Sequence, residues 1–279
     1  GKSVLGDFAN AKFTYAGTTS TFSRRDGKFF VNTDGPDGKL ADYEIRYAFG
    51  VRPLQQYLIE LPGGRLQALG IAWDSRPKTQ GGQRWFHLYP GQNIKAGDPL
   101  HWTGVQQNWN FQCAECHSTN LRKNFDAKSG TFDSKWDEIN VACEACHGPS
   151  AQHLRKQPDG SRLPPPVTFN DAEPPEKQNE VCMSCQQGEH LFHWQGSTHE
   201  IEGNACVDCH DVHAPNDAVL AVETQPGVCY ACHQEQRAQF LRQSRHPVQG
   251  ETAALSHVGL LACTDCHQPH GGPGPALLT

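Results

Sequence analysis

Over residues 1–110 the chain alternates short apolar or mixed runs with turn signals. The runs are Ala11–Ala16, Lys28–Asn32, Tyr43–Val51, Gln56–Leu61 and Arg65–Trp73. Between them stand Arg24-Arg-Asp-Gly27, Asp34-Gly-Pro-Asp-Gly38 and Pro62-Gly-Gly64. Strand-length runs broken by Asp-Gly and Gly-Gly predict a β-meander or small sandwich. Asp34 and Asp37 lack the spacing of an EF-hand calcium loop and read as a plain turn. Beyond residue 110 this rhythm lapses. Lys123–Trp136 reads as a loop or small hairpin, and the proline-rich stretch of about 155–178 as an extended linker. Gln234–Gln243, free of Gly and Pro and carrying Ala238 and Leu241, is the best helix prediction.

Cysteine spacing changes the picture. All 12 cysteines of the 279 residues fall into Cys-x-x-Cys pairs: Cys113 with Cys116, Cys143 with Cys146, Cys182 with Cys185, Cys206 with Cys209, Cys229 with Cys232 and Cys263 with Cys266. Five pairs run straight into histidine, at His117, His147, His210, His233 and His267. Cys-x-x-Cys-His is the attachment signature of c-type haem, in which the thiols bind the porphyrin and the histidine meets the iron. Zinc ribbons and disulfide frameworks do not require histidine in the next position. The pattern therefore predicts about six haem c groups, five of them by complete motif. Haem also answers a shortfall: hydrophobic residues make up only 37%, and each porphyrin brings an apolar plate that can serve as core. The expected fold is a small β-rich N-terminal module without haem motifs, residues 1–110, followed by a haem-packed region, 111–279, with little secondary structure and short helices. The motif starts are 30, 39, 24, 23 and 34 residues apart, too irregular for a strict repeat array.

No apolar run is long enough for a transmembrane segment. Because c-type haem is attached outside the cytoplasm, the chain is expected to be exported, to the periplasm or the extracellular space. Gly1-Lys-Ser-Val then reads as a processed or truncated start. A net charge of −6 argues against nucleic acid as a partner.

Of 15 histidines, five are the proximal ligands above. His87, His101, His153, His190, His193, His199, His213, His246, His257 and His270 remain. Six haems with a second histidine each, plus a replacement at the broken motif, need seven of these ten. The single methionine, Met183, lies inside its own motif, so bis-histidine iron of low potential is expected. His213 and His270 each follow a proximal histidine by three residues. So short a segment cannot wrap around the same iron, but it can serve a neighbouring haem. His199 and His246, in loop-like contexts between motifs, and His153, six residues after His147, are further candidates. His87 and His101 sit in an aromatic patch (Trp85, Phe86, Tyr89, Trp102, Trp109, Phe111) just before Cys113. They are either distal ligands or part of a seam between the β-module and the haem region.

The broken motif is Cys182-Met-Ser-Cys185-Gln186. Three readings stand: a haem ligated by another histidine, His190 first and His193 next; a haem with an open iron face; or no haem, or a residue standing where histidine naturally would.

Gly63-Gly-Arg-Leu-Gln-Ala-Leu69, Gly81-Gly-Gln-Arg-Trp-Phe-His-Leu-Tyr89, Asn108–Leu121 and Cys143-Glu-Ala-Cys-His-Gly-Pro149 resemble an exported multihaem cytochrome family that often carries tetratricopeptide repeats. Members have a further haem motif upstream of Val4-Leu-Gly-Asp-Phe8, which this sequence lacks. Cys206–His213, Phe240–Pro247 and Cys263–Gly271 are similar to decahaem electron-conduit cytochromes. That resemblance implies distal roles for His199, His213, His246 and His270, and histidine in place of Gln186. The expected function is electron transfer to redox partner proteins or extracellular acceptors, with the chain as an electron carrier more than an enzyme. Assembly into a homopolymeric extracellular cytochrome filament is a finer expectation. The alternatives are a multihaem reductase of a small nitrogen or sulfur oxyanion, working at the Cys182 and Cys185 haem, and a β-domain binding module with haems as scaffold.

Overall fold

The structure, a computed structural model, describes residues 4–242, 262–272, 274 and 277. His246 and His257 lie outside the described residues. The chain divides into two compact units, Gly1–Ala145 and Cys146–Thr279.

The first unit is built on eight strands: β1 Ala9–Tyr15, β2 Thr18–Arg25, β3 Lys28–Asp34, β4 Leu40–Phe49, β5 Leu54–Leu61, β6 Arg65–Ala68, β7 Ile71–Asp74 and β8 Arg84–His87. They form one antiparallel sheet in the order β1-β2-β3-β4-β5-β7-β8, with β6 also pairing with β5. Turn chemistry sets the register. Ala16 and Gly17 join β1 to β2, and Asp26 and Gly27 join β2 to β3, all four at positive φ. Two consecutive left-handed residues twist a hairpin in the same sense as its strands. The sheet nearly closes: the ring of Tyr15 on β1 lies parallel to that of His87 on β8, with centroids 3.5 Å apart. The Tyr15 hydroxyl donates to the Tyr89 carbonyl oxygen at 2.9 Å.

Alternate residues point inward, as period-two patterning requires. Phe22, Val31, Tyr57, Ile59, Trp73 and Trp85 form the core with Phe8 and Trp102. Trp85 is its centre, stacked on Phe22 at 3.6 Å and edge-on to Phe8 and Trp73. A second cluster, Phe49, Leu58, Leu66, Ala68, Trp109 and Ala114, lies on the other face of the sheet. It seats the helical turns α1 (Trp109–Gln112) and α2 (Ala114–His117), which carry the first Cys-x-x-Cys-His motif. Fully buried Asn110 fastens α1 to β6. Its Oδ1 accepts from the Leu66 N–H at 2.7 Å, and its Nδ2 donates to Gly64 O and Ser134 Oγ. Residues 123–136 form the hairpin of β9 (Phe125–Asp126) and β10 (Thr131–Phe132).

The second unit is made of short pieces. The helical turn α3 (Cys143–His147) runs across the boundary. Irregular chain then leads to α4 (Pro175–Met183), which starts where Pro175 can occupy the first helical position. The turn α5 (Thr198–Ile201), α6 (Gln225–Cys232) and α7 (Gln234–Phe240) follow. The helix predicted at 234–243 is therefore present as Gln234–Phe240. Of the buried hydrophobic side chains among the described residues, only Trp194, Ala205, Tyr230 and Ala262 belong to this unit, while Phe192, Ile201, Val212, Leu220 and Leu241 are more than 70% exposed. Among the described residues, its side chains make no apolar core of their own.

Burial pushes the His87 imidazole down to about 4, so it is neutral in the folded sheet at pH 5, whereas in the unfolded chain it titrates near the usual 6.5. A histidine whose folded value is depressed contributes stability above the unfolded value, and this is lost as pH falls from about 6.5 towards 4. Amide protection factors in β2–β5, corrected for the intrinsic exchange rate at each pH, are therefore expected to fall between pH 7 and 5. His87→Phe keeps a ring against Tyr15 and should flatten that slope; an unchanged slope refutes the assignment.

Candidate haem-binding sites

At motif after motif the chain makes the same single turn. The N–H of the residue after the second cysteine donates to the carbonyl of the first: His117 to Cys113, Gln186 to Cys182, His210 to Cys206, His233 to Cys229 and His267 to Cys263, all at 2.9–3.0 Å. The second cysteine often shares that acceptor. Cys116 N–H donates to the Cys113 carbonyl at 3.2 Å, and Cys266 N–H to the Cys263 carbonyl at 3.3 Å. One turn of helix brings residues three and four apart onto one face, so two thiols and the following side chain address one partner. None of the cysteines is disulfide-bonded; Cys116 is half-buried, and Cys266 is exposed on the rim of its turn. Among the described residues no three of His, Cys, Asp and Glu converge on one metal ion, an arrangement unlike a zinc ribbon.

Three of the histidines that follow a Cys-x-x-Cys pair each face a distant histidine. His147 faces His213 with ring centroids 6.1 Å apart and planes 9° apart. His210 faces His270 at 6.0 Å and 17°. His233 faces His199 at 6.1 Å and 71°. An imidazole–metal bond is about 2 Å and a ring nitrogen lies about 1 Å from its ring centre, so two rings on opposite sides of one ion have centres about 6 Å apart. Haem iron with two axial histidines has this requirement, and the residues present fit it. Backbone and carboxylate acceptors orient several rings. His147 Nδ1 lies 3.0 Å from Val167 O, His199 Nδ1 2.7 Å from Pro269 O, and His210 Nδ1 2.8 Å from Asp217 Oδ2. An Nδ1–H donated this way leaves Nε2 as the basic nitrogen for a metal. Burial holds His117 and His270 below the usual histidine value, with the neighbouring His210, His190 and His199 adding to it at His270, so both favour the neutral form that binds metal.

The motifs pair up through a duplicated clamp. In the first, Cys206 N–H donates to Asn179 Oδ1 of α4 at 2.8 Å, and buried Gln178 donates to Asn170 O and Glu173 O. In the second, Thr264 N–H donates to Gln225 Oε1 of α6 at 3.1 Å, and Gln225 donates to Val219 O. Asp208 and Asp265 accept from the N–H of Ala205 and Ala262 at 2.7 and 2.8 Å. The thiol of Cys182 thereby meets that of Cys206, and Cys229 meets Cys263. In each pair one member is drawn down to about 7, Cys182 and Cys263, and the other is pushed up.

Two family models match this region. One, "Cytochrome c-type protein NrfB-like", covers residues 143–228, and one, "Cytochrome c3", covers 198–274. This chain is a multihaem c-type cytochrome. The cytochrome is also similar to the multiheme cytochrome MtrA of Shewanella baltica (strain OS185). The two are 38% identical over 164 residues, 57% of this chain and 45% of that protein. It is 27% identical to the cytochrome c-type protein NrfB of Haemophilus influenzae (strain ATCC 51907 / DSM 11121 / KW20 / Rd) over 169 residues, 50% of this chain and 71% of that protein. The match to the first relative thus spans less than half of its length.

The remaining sequence candidates fall elsewhere in the cytochrome. His101 is 5% exposed inside the β-module, its Nδ1 2.7 Å from Thr103 Oγ1 and its Nε2 3.2 Å from Asp34 Oδ2. His87 accepts at Nδ1 from Tyr89 N–H and presses its Nε2 against Gly70. Both lie in the β-module, His87 at the closure of the sheet. His117 lies edge-on to Phe49. His153 bonds through Nδ1 to Leu163 O, and exposed His190 folds back on Gly188. Asp217, Gln178, Asn179 and Gln225 were not among the sequence candidates. The duplicated Ala-Cys-x-Asp-Cys-His-x-x-His of 205–213 and 262–270 was the available signal for the clamp.

Crossed imidazole planes make the two ligand π interactions with iron nearly equal and give a ferric signal with a large g maximum, whereas parallel planes give a rhombic one. Frozen-solution EPR is expected to show a large-g component from the His199/His233 pair beside rhombic components from the two near-parallel pairs. A spectrum without a large-g component contradicts the ring geometry.

Proposed function

We propose that this cytochrome moves electrons along a chain of covalently held haems. The facing histidine pairs carry the proposal. Bound haem supplies one-electron chemistry at iron, and two protein nitrogens per iron leave no place for substrate. The protein spaces the carriers. His210-Asp-Val-His213 would reach two irons, those of the Cys206 and Cys143 motifs, and His267-Gln-Pro-His270 those of the Cys263 and Cys206 motifs. Three residues span at most about 10 Å, so successive carriers lie close together. The touching thiols place the Cys182 motif beside Cys206 and the Cys229 motif beside Cys263. We infer six haems, the first held by Cys113, Cys116 and His117 and the last by Cys263, Cys266 and His267, and export to the compartment where haem is attached. The partners are redox proteins or extracellular acceptors. The haem-free β-module beside a string of haems suits a filament subunit as the finer reading; microscopy showing only monomers at high concentration refutes it.

The ligand pairing is tested by non-additivity. His213→Ala alone is expected to create one high-spin ferric haem. In a chain carrying Cys143→Ala and Cys146→Ala, which lacks the partner haem, His213→Ala should create none. A high-spin band in that background overturns the pairing.

A second reading concerns Gln186. Its N–H bonds to the Cys182 carbonyl at 3.0 Å as the proximal histidines do at their own motifs, so an amide stands where an imidazole belongs. An amide is a weak iron ligand, and an open face there would suit reduction of a small nitrogen or sulfur oxyanion. Intact mass is expected to give six haem increments. Carbon monoxide binding to the reduced protein supports the reductase; wholly low-spin spectra without carbon monoxide binding refute it and leave electron transfer alone.

A further inference from the structure

The proposed axial ligands differ in what holds their outer nitrogen. His147 and His199 each meet a backbone carbonyl at Nδ1. His210 meets a carboxylate: Asp217 Oδ2 lies 2.8 Å from its Nδ1. This is a built contact. The Asp217 side chain is 13% exposed and that of His210 28%. The other carboxylate oxygen, Oδ1, accepts from the backbone N–H of Val219 at 3.3 Å and of Asp211 at 3.4 Å, so a closed turn, residues 211–219, fixes the carboxylate against the ring. Asp217 belongs to no cysteine motif and to no facing histidine pair, so haem attachment and ligation do not account for it.

A carbonyl is a neutral acceptor. A carboxylate is a charged one, and a hydrogen bond to it is shorter and stronger. Drawing the Nδ1 proton towards a carboxylate raises the basicity of Nε2 and the donation of that nitrogen to its metal. More donation favours ferric over ferrous iron. The full negative charge, partly shielded from water, acts in the same direction.

We propose that Asp217 is a positioning residue that lowers the reduction potential of the haem held by Cys206, Cys209 and His210. This rests on the reading of His210 and His270 as the axial pair of that haem. The haem so tuned occupies the middle of the ligand network, since His213 and His270 link its motif to those of Cys143 and Cys263. Its potential sets the energy of the step on either side.

The test is potentiometric titration of the holoprotein and of Asp217→Asn, which is isosteric and lacks the charge. One component is expected to shift to higher potential while the others stay in place, with haem count and low-spin spectra unchanged. Asp217→Glu, which restores a carboxylate, should return that component towards its original position, and the EPR signal of one near-parallel pair should change in Asp217→Asn alone. If count and spin state hold and no component moves, the tuning role is overturned. If Asp217→Asn leaves the titration intact but His270→Ala creates no high-spin haem, the axial-pair reading itself fails. Should Asp217→Asn load haem poorly, Asp217→Ser, which also removes the charge, is titrated in its place, and a component that stays at its wild-type position overturns the tuning role.

Discussion

Two imidazole rings about 6 Å apart, from residues remote in sequence, are the constraint on which residues 146–279 depend. His147 and His213 are separated by 66 positions, His210 and His270 by 60, and His199 and His233 by 34. Closing loops of this length costs chain entropy that grows only slowly with length, and a metal bound by both ends would offset it. In the proposed ligand set each distal histidine lies outside its proximal partner's motif: His213 and His270 extend other motifs, and His199 lies in the turn α5. The clamps would then interlock, and no haem would be held by one segment alone. Metal-coupled folding of this kind makes the fold conditional on the ligand.

The two units solve the problem of stability by different physics. Residues 9–87 bury Phe22, Val31, Tyr57, Leu58 and Ile59 almost completely, and burying one such side chain contributes roughly 1.5–3 kcal/mol. The aromatic centre at Trp85 and the closure at Tyr15 and His87 complete a core made of side chains alone. Among its described residues the second unit buries few apolar side chains and leaves a row of highly exposed ones, and polar clamps hold its cysteine motifs in place: Gln178, Gln225, Asp208 and Asp265 bonded to backbone. Buried amides bonded to backbone are costly to leave unsatisfied. They can therefore fix where a cysteine motif sits even though little apolar surface is hidden.

Legibility in the sequence followed the same division. The β-module was readable because strand alternation and Asp-Gly turns are local signals, and Lys28–Asn32 and Gln56–Leu61 became β3 and β5 nearly to the residue. The cysteine motifs were readable because covalent attachment fixes their spacing. The reach of His213 and His270 to other motifs followed from chain length. Which motif each would meet did not, because that depends on how the clamps dock. Asp217 was invisible for a related reason: it is one acid in a loop, and only the folded turn brings it to His210. Closeness in sequence to Cys113 drew attention to His87 and His101 but could not show their surroundings: His101 has two hydrogen-bond partners, Thr103 and Asp34, and His87 has a tyrosine face.

Attachment and ligation would be separable in the proposed haem chain, and Gln186 is where they would part. The turn that presents Cys182 and Cys185 is held by main-chain bonds, from Gln186 N–H and Cys185 N–H to the Cys182 carbonyl, and by Asn179, one turn before Cys182, bonded to Cys206 N–H. None of these bonds involves the side chain at position 186. An exchange between imidazole and amide there would remove none of these bonds. The chemistry of one iron could thus change without disturbing the spacing of the others. A chain of carriers tolerates this at the Cys182 motif better than at Cys206, because Cys182 touches one neighbouring motif, whereas the Cys206 motif is tied to Cys143 through His213, to Cys263 through His270 and to Cys182 through its thiol.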